Sequence, residues 1–277
     1  MKRIKIVLLI FILAISFLLQ NSKSYAQYDS AAVMILDRMS SMFGSIESIS
    51  FKMNIEFDKL SDKAGLIKHS ENASVYMRGP DKMLMQVTGD NGKKDYIYNG
   101  KTFTYYSVLG NQYATLDAPA TNIETIDFIH NDYGLDFPAS DFFYPNFVND
   151  LLANSKNLLY LGITTVNDKE CFHIAGSTTD NSMTYQFWIA EDAYFFPAKM
   201  AIVYTDKSGN PQYEGMMYDW EVNPSLPDAM FEFNVPPGSK KINNNSSIIT
   251  FIIAECLISR SLCTEIWQRW FQQGRRI

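Results

Sequence analysis

Three histidines, His69, His130 and His173, are the first residues to weigh for metal binding or proton transfer. None has a partner at zinc-ligand spacing, and no His-Glu-x-x-His motif occurs. His173 alternates with Phe172 and Ile174 in a strand-like run, which favours a satisfied structural histidine over a ligand. His69 reads as part of a polar loop. Serine nucleophile signatures (Gly-x-Ser-x-Gly, Ser-x-x-Lys) are missing from the chain. Gly89-Asp90-Asn91-Gly92-Lys93-Lys94-Asp95 has a faint phosphate-loop look. It lacks the Ser/Thr after lysine and a following helix, so it reads as a hairpin turn. Asp136 with Asp141 and Glu191 with Asp192 are acid pairs of the kind that 30 acids produce by chance. Asp58 to Asp62 lacks the glycine and terminal glutamate of a calcium loop. Cys171 stands alone. Cys256 and Cys263 would lie about 10 Å apart on one helix, too far for a disulfide within it. The expectation is a protein with no catalytic residues, no metal and no cofactor.

What remains is an apolar row. Phe51, Met53, Ile55 and Phe57, with Met77, Met83 and Met85, place large and flexible side chains on one face of a sheet. Methionine adapts to irregular partners and is over-used on binding surfaces. The same row also suits an ordinary core facing helices. The two readings are compatible, because a sheet curved around helices can leave a cavity between them.

The elements that must position this row follow from periodicity. A helix is expected after Asp29 or Ser30, with Val33, Leu36, Met39 and Phe43 at helical spacing and Gly44 ending it. Phe51, Met53, Ile55 and Phe57 alternate with Lys52, Asn54, Glu56 and Asp58, the pattern of an antiparallel strand with one wet face. Further strands are expected at 73–78, 83–87, 96–98, 102–108 and 112–116. Gly79-Pro80-Asp81, Asp90-Asn91-Gly92, Asn99-Gly100 and Gly110-Asn111 supply their turns. Residues 119–152 lose the alternation and read as a helical insert broken by Pro138 and Pro145. Strands resume at 158–166, 171–175, 184–190, 198–205 and 212–221, and the body closes at Phe231 to Gly238. The fold class is mainly β (α+β): about eleven antiparallel strands, an N-terminal helix and a helical insert.

The ends differ from this body. Lys2, Arg3 and Lys5, an uncharged run from Ile6 to Leu19, and Ser24-Tyr25-Ala26 form the three parts of a secretory signal, cleaved after Ala26. The 14-residue run would span about 21 Å as a helix, short of a ~30 Å hydrocarbon core. No cysteine follows it for lipid attachment. Removing the four positive charges of 1–26 takes the net charge from −6 to −10. The last 35 residues carry +2, which leaves 27–242 near −12. Such a body does not suit nucleic acid or permanent docking on anionic lipid, although a transient membrane contact remains compatible. The expected division is 1–26 signal peptide, 27–242 β domain and 243–277 atypical tail. In the tail a polar run, Asn243 to Ser247, precedes an apolar stretch. Residues 255–273 suit an amphipathic helix that could lie on a membrane or cover a cavity mouth.

Several motifs, in order, carry a resemblance: Gly79-Pro80-Asp81-Lys82, Tyr98-Asn99-Gly100-Lys101-Thr102, Gln186-Phe187-Trp188-Ile189, Phe196-Pro197-Ala198-Lys199, Trp220 with Pro224, Phe231-Glu232-Phe233 and Pro236-Pro237-Gly238. Over roughly 27–242 the chain resembles a family of predicted periplasmic proteins, of the domain-of-unknown-function type, related to the LolA/LolB lipoprotein-carrier fold. The resemblance implies a strongly curved antiparallel half-barrel whose concave apolar face is covered by helices. It also implies a periplasmic binding protein holding a lipid, an acyl chain or a lipoprotein, with Phe51, Met53, Ile55, Phe57, Met77, Met83 and Met85 lining the cavity. Carriers of this group use an arginine inside the cavity, a role for which Arg78 is the one candidate. The alternative is a protein-interaction or envelope-sensing domain without a lipid ligand.

Overall fold

A computed structural model describes residues 27–243, apart from Asn91, Asp136 and Pro138. The expected signal peptide, the tail beyond Asn243 with Cys256 and Cys263, and the Asp136 member of the acid pair lie outside the described residues.

Helix α1 (Ser30–Gly44) begins where the Asp29 carboxylate accepts the Ala31 N–H at 3.0 Å. Its buried stripe is Ala32, Ile35, Leu36 and Met39. Val33 and Phe43 flank that stripe and are only partly buried, a rotation of about one residue from the expected face. The cause is the wide stripe that a helix laid on a curved sheet must bury.

Strands β1 (Ser48–Ser61), β2 (Gly65–Arg78), β3 (Lys82–Gly89), β4 (Gly92–Tyr98), β5 (Thr102–Ser107) and β6 (Gln112–Asp117) form a meander. A helical insert follows. It comprises α2 (Asn122–Tyr133), a 3-10 turn (Ser140–Phe143) and α3 (Phe147–Asn154). Strands β7 (Ser155–Val166), β8 (Lys169–Thr178), β9 (Met183–Ala190), β10 (Pro197–Tyr204) and β11 (Gln212–Val222) form a second meander. β1 and β11 pair antiparallel and join the two. With β12 (Lys240–Lys241) parallel to β6, the order is β12-β6-β5-β4-β3-β2-β1-β11-β10-β9-β8-β7. The sheet is open and curved, a half-barrel closed at neither edge. The described residues form twelve strands rather than about eleven. The extra one is two lysines long and carries no apolar alternation to announce it.

Register sets the concave face. Ile49, Met77, Met83, Tyr98, Phe103 and Leu116 lie side by side across six strands. So do Phe51, Val75, Met85, Tyr96, Tyr105 and Ala114. Phe51, Met53, Ile55 and Phe57 are buried while Lys52, Asn54 and Glu56 are exposed, as the alternation requires. The second meander adds Met183, Tyr185, Phe187, Met200, Ile202, Tyr213 and Met217, and all of these pack with the helices into one core. Gly176 lies opposite Tyr185 because a β-carbon there would overlap the phenol ring.

The convex side is covered too. The chain after β11 crosses it, burying Leu226 and Phe231 on Leu84 and Ile97. Phe233 then packs, tilted, between Tyr106 (5.6 Å) and Tyr113 (4.9 Å).

Candidate functional site

The sequence-derived chemistry resolves into structure. His69 lies in β2, not in a loop: its ring stacks on Phe57 and its Nδ1 lies 2.6 Å from Asp90 Oδ2. The β1–β2 hairpin runs well past the apolar region, so 65–72 stays extended without an apolar alternation. His173 stacks on Trp188 at 4.5 Å and bonds Gln186. His130 is buried on α2. Asp58 accepts the Gln212 N–H and pairs with Lys68, a structural role. Gly89 and Gly92 pair at the adjoining ends of β3 and β4. Cys171 is buried in β8, and burial pushes its thiol up. Among the described residues no cluster of His, Cys, Asp and Glu could hold a metal. Arg78 is not in the core. It crosses to the convex side, donates to Leu226 O, pairs with Asp228 and lies over the Phe231 ring. That pairing holds the Asp228 carboxyl below its ordinary range.

A pocket of about 530 Å³ opens where three junctions meet. The first is the end of α1. There Ser45 caps through its N–H and hydroxyl to Met42 O, and Ile46 and Glu47 lead into β1. The second is the β2–β3 turn: Gly79 N–H donates to Glu47 O at 2.8 Å, while Glu47 N–H donates to Asn223 Oδ1 at 3.0 Å. Both sides of the Glu47 peptide are thus pinned at the rim. The third is the start of α2. Asn122 N–H donates to Pro80 O (2.8 Å) and its Nδ2 donates to Arg78 O (3.3 Å), stitching the helix to the turn. Phe43, Ile46, Ile49, Met77, Ile123 and Phe143 make the walls apolar. Phe43 is held by Phe143 at 4.8 Å and Trp220 at 5.9 Å. The volume lies within the usual range for small-molecule sites.

Of the seven residues expected to line a cavity, Met77 forms part of this wall. Met83 lies directly beside it in register, and Phe51, Met53, Ile55, Phe57 and Met85 lie in the core behind the helices. The wall residues from α1, α2 and the 3-10 turn carried no signal beyond ordinary apolar character. They become neighbours only through topology. A second, more open groove of about 800 Å³ runs along α1 beside Phe195, with Arg38 over that ring.

The concave face is not uniformly apolar. Away from Met77 it carries Glu71 opposite Ile55, and Lys94 is only 3% exposed beside Ser107. Burial pushes the Glu71 carboxyl up, against the pull of Lys94. Burial likewise pushes the Tyr185 hydroxyl up to about 12, even with its hydrogen bond to Ser155.

Fold and pocket together define an open β half-barrel packed on helices, with an apolar cleft at the helix ends. The chain belongs to the family described as predicted periplasmic protein (DUF2092), whose model matches residues 32–244, and it is periplasmic. No curated protein matches it. Among solved structures, LppX, a lipoprotein of Mycobacterium tuberculosis, is 14% identical over 72% of this chain and 98% of its own, at a TM-score of 0.46. A LolA superfamily protein of Nitrosomonas europaea is 12% identical over 73% of this chain and 97% of its own, at 0.31. A chain of the Pseudomonas aeruginosa MucA/MucB complex is 11% identical over 74% of this chain and 62% of its own, at 0.40. The sheet's own topology, not these likenesses, defines the fold.

Proposed function

We propose that this protein is a non-catalytic periplasmic binding protein that holds the apolar chain of a lipid. The observation that carries the reading is the pocket between α1, α2 and the β2–β3 turn. It is walled by Phe43, Ile46, Ile49, Met77, Ile123 and Phe143 and continuous in register with Met83. Flexible methionines suit a ligand of variable shape. An acyl chain longer than the pocket would slide between the sheet and the helices, where Met53 and Met85 would become lining residues. The division into a cleaved leader (1–26), a binding domain (27–242) and a separate tail (243–277) belongs to the same proposal.

The test is native mass spectrometry and lipid extraction on protein purified from the periplasm, wild type beside Ile123→Trp. Wild type carries lipid, and the variant, its pocket filled, loses it at an unchanged melting temperature. Wild type free of lipid would sink the reading.

A second reading, a protein-interaction domain without lipid, is favoured by the β7 edge. Leu159, Leu161 and Ile163 are 45%, 53% and 53% exposed there, and among the described residues the outer side of the strand is bridged by Tyr28, at Leu158. An unpaired apolar edge can accept another strand, although the bulge at Gly162 bends it away. Co-purification of a protein in place of a lipid would favour this alternative.

A further inference from the structure

We infer that the pocket selects an amphiphile with a cationic ammonium head and disfavours a carboxylate head. The inference rests on the lipid reading of the same pocket.

Glu47 is the one charged residue among those described as lining it. Its side chain is exposed, and its backbone is pinned at the rim on both sides, which keeps the carboxylate within reach of the mouth. The C-terminal end of α1 lies in the same wall, at Phe43 and Gly44, and its last turn has no basic residue. Ser45 and Ile46 N–H groups meet its last carbonyls, but no cationic side chain offsets the partial negative charge of that helix end. The opposite partial charge, at the start of α2, is already met. The Thr121 hydroxyl caps Glu124 N–H, and the Glu124 carboxylate sits in the first turn and accepts from Thr121.

The nearby cations are committed elsewhere. Arg78 is turned to Leu226 O and Asp228 on the convex side. Lys82 is held by Asp81 and Asn99 O. Asn122, 7% exposed, lines the wall, and its Oδ1 is buried without a hydrogen-bond donor. Its orientation is set by Nδ2 donating to Arg78 O. Negative charge thus stands at the mouth of an apolar hole. An ammonium gains an ion pair there, whereas a carboxylate meets like charge with no counter-cation. The acidic body adds a weaker bias of the same sign.

The test uses octadecylamine, octadecanol and octadecanoate, each below the concentration at which it aggregates at neutral pH. Each competes with a pyrene-labelled long-chain alcohol on the mature full-length protein. The amine should bind about tenfold tighter than the carboxylate, since an exposed ion pair contributes up to about fivefold and like charges cost as much. Glu47→Gln should bring the two within about twofold of each other, and raised salt should narrow the wild-type gap. The melting temperature of the variant checks that it folds, and an exposed side chain gives no reason for it not to. Equal or tighter binding of octadecanoate overturns the head-group inference alone, as does a preference that survives Glu47→Gln. Failure of all three probes to displace the label overturns the lipid reading and the inference with it.

Discussion

Replacing Phe51 by alanine should destabilise the protein severely, and the reason lies in what stands on either side of the ring. Phe51 is 2% exposed. It stacks on Trp220 at 4.2 Å and 20°, with Phe143 at 6.1 Å on another side. Trp220 in turn stacks on Phe196 at 4.7 Å and donates its indole N–H to Pro197 O. Strand β11 and the 3-10 turn therefore meet on one ring of β1, and the start of β10 backs Trp220 through Pro197. Truncating a buried phenylalanine costs about 3–5 kcal/mol, nearer the top where the site cannot collapse. Trp220 is held in place by its own partners, so collapse is limited here. At about 2–4 °C per kcal/mol for a domain of this size, a loss of ~4 kcal/mol lowers the melting temperature by about 8–16 °C. Thermal unfolding followed by circular dichroism measures it, with Lys52→Ala as the control. Lys52 is exposed and pairs with Asp219 on the surface, so its removal should leave the melting temperature nearly unchanged. A fall of less than about 3 °C for Phe51→Ala, or equal effects of the two changes, would refute the convergence of contacts on that ring.

Four other outcomes follow. Ile55→Asp buries an unpaired charge across from Glu71 and should cost several kcal/mol in urea unfolding, while Glu56→Asp on the wet face changes little. Because burial raises the Glu71 pKa, the folded state keeps a proton that the unfolded chain releases. That stabilisation is full below the ordinary carboxylate range and is lost as pH rises through the raised value. Glu71→Gln should therefore melt higher than wild type at pH 7, with the gap closing below about pH 4. A gap that instead widens in acid reverses the sign and rejects the reasoning. Protein recovered from the periplasm should begin at Gln27, which mass analysis of the intact chain decides. A chain ending at Ile242 retains the bond from Ile242 N–H to Tyr113 O and should melt within about 5 °C of full length; a larger fall makes the tail part of the fold.

The register of β1 was legible because one of its faces is wet and the other is not. Lys52, Asn54 and Glu56 leave the apolar residues only one face to share. The Asn99-Gly100 hairpin and the interruption of the sheet between 119 and 152 were legible for similar reasons, turn chemistry and loss of period. The bulge in β11 was not. Ser50 faces Glu221 and Lys52 faces Tyr218, so Asp219, at positive φ, and Trp220 both lie across from Phe51. That extra residue turns Trp220 inward, and no pattern within 212–222 signals it. The polar end of the concave face was missed because Glu71 and Lys94 occupy inward positions where alternation predicts apolar residues. The convex cover was missed because Leu84 and Ile97 break the expected polar outer face only when Leu226 and Phe231 arrive from over a hundred residues away. The pocket was only partly legible. Met77 belonged to a visible row, whereas Ile46, Glu47, Asn122 and Phe143 sit at element ends, where local sequence has no period to read.

The central claim is that a lipid chain occupies the cleft between α1, α2 and the β2–β3 turn. The most direct measurement is photo-crosslinking of the mature protein with a long-chain alcohol carrying a terminal diazirine, followed by peptide mapping. Adducts on Met77, Ile123 and Phe143, abolished by excess unlabelled octadecanol, are the predicted result. Adducts confined to the α1 groove around Met34 and Phe195, or to Leu159, Leu161 and Ile163 on β7, would contradict it.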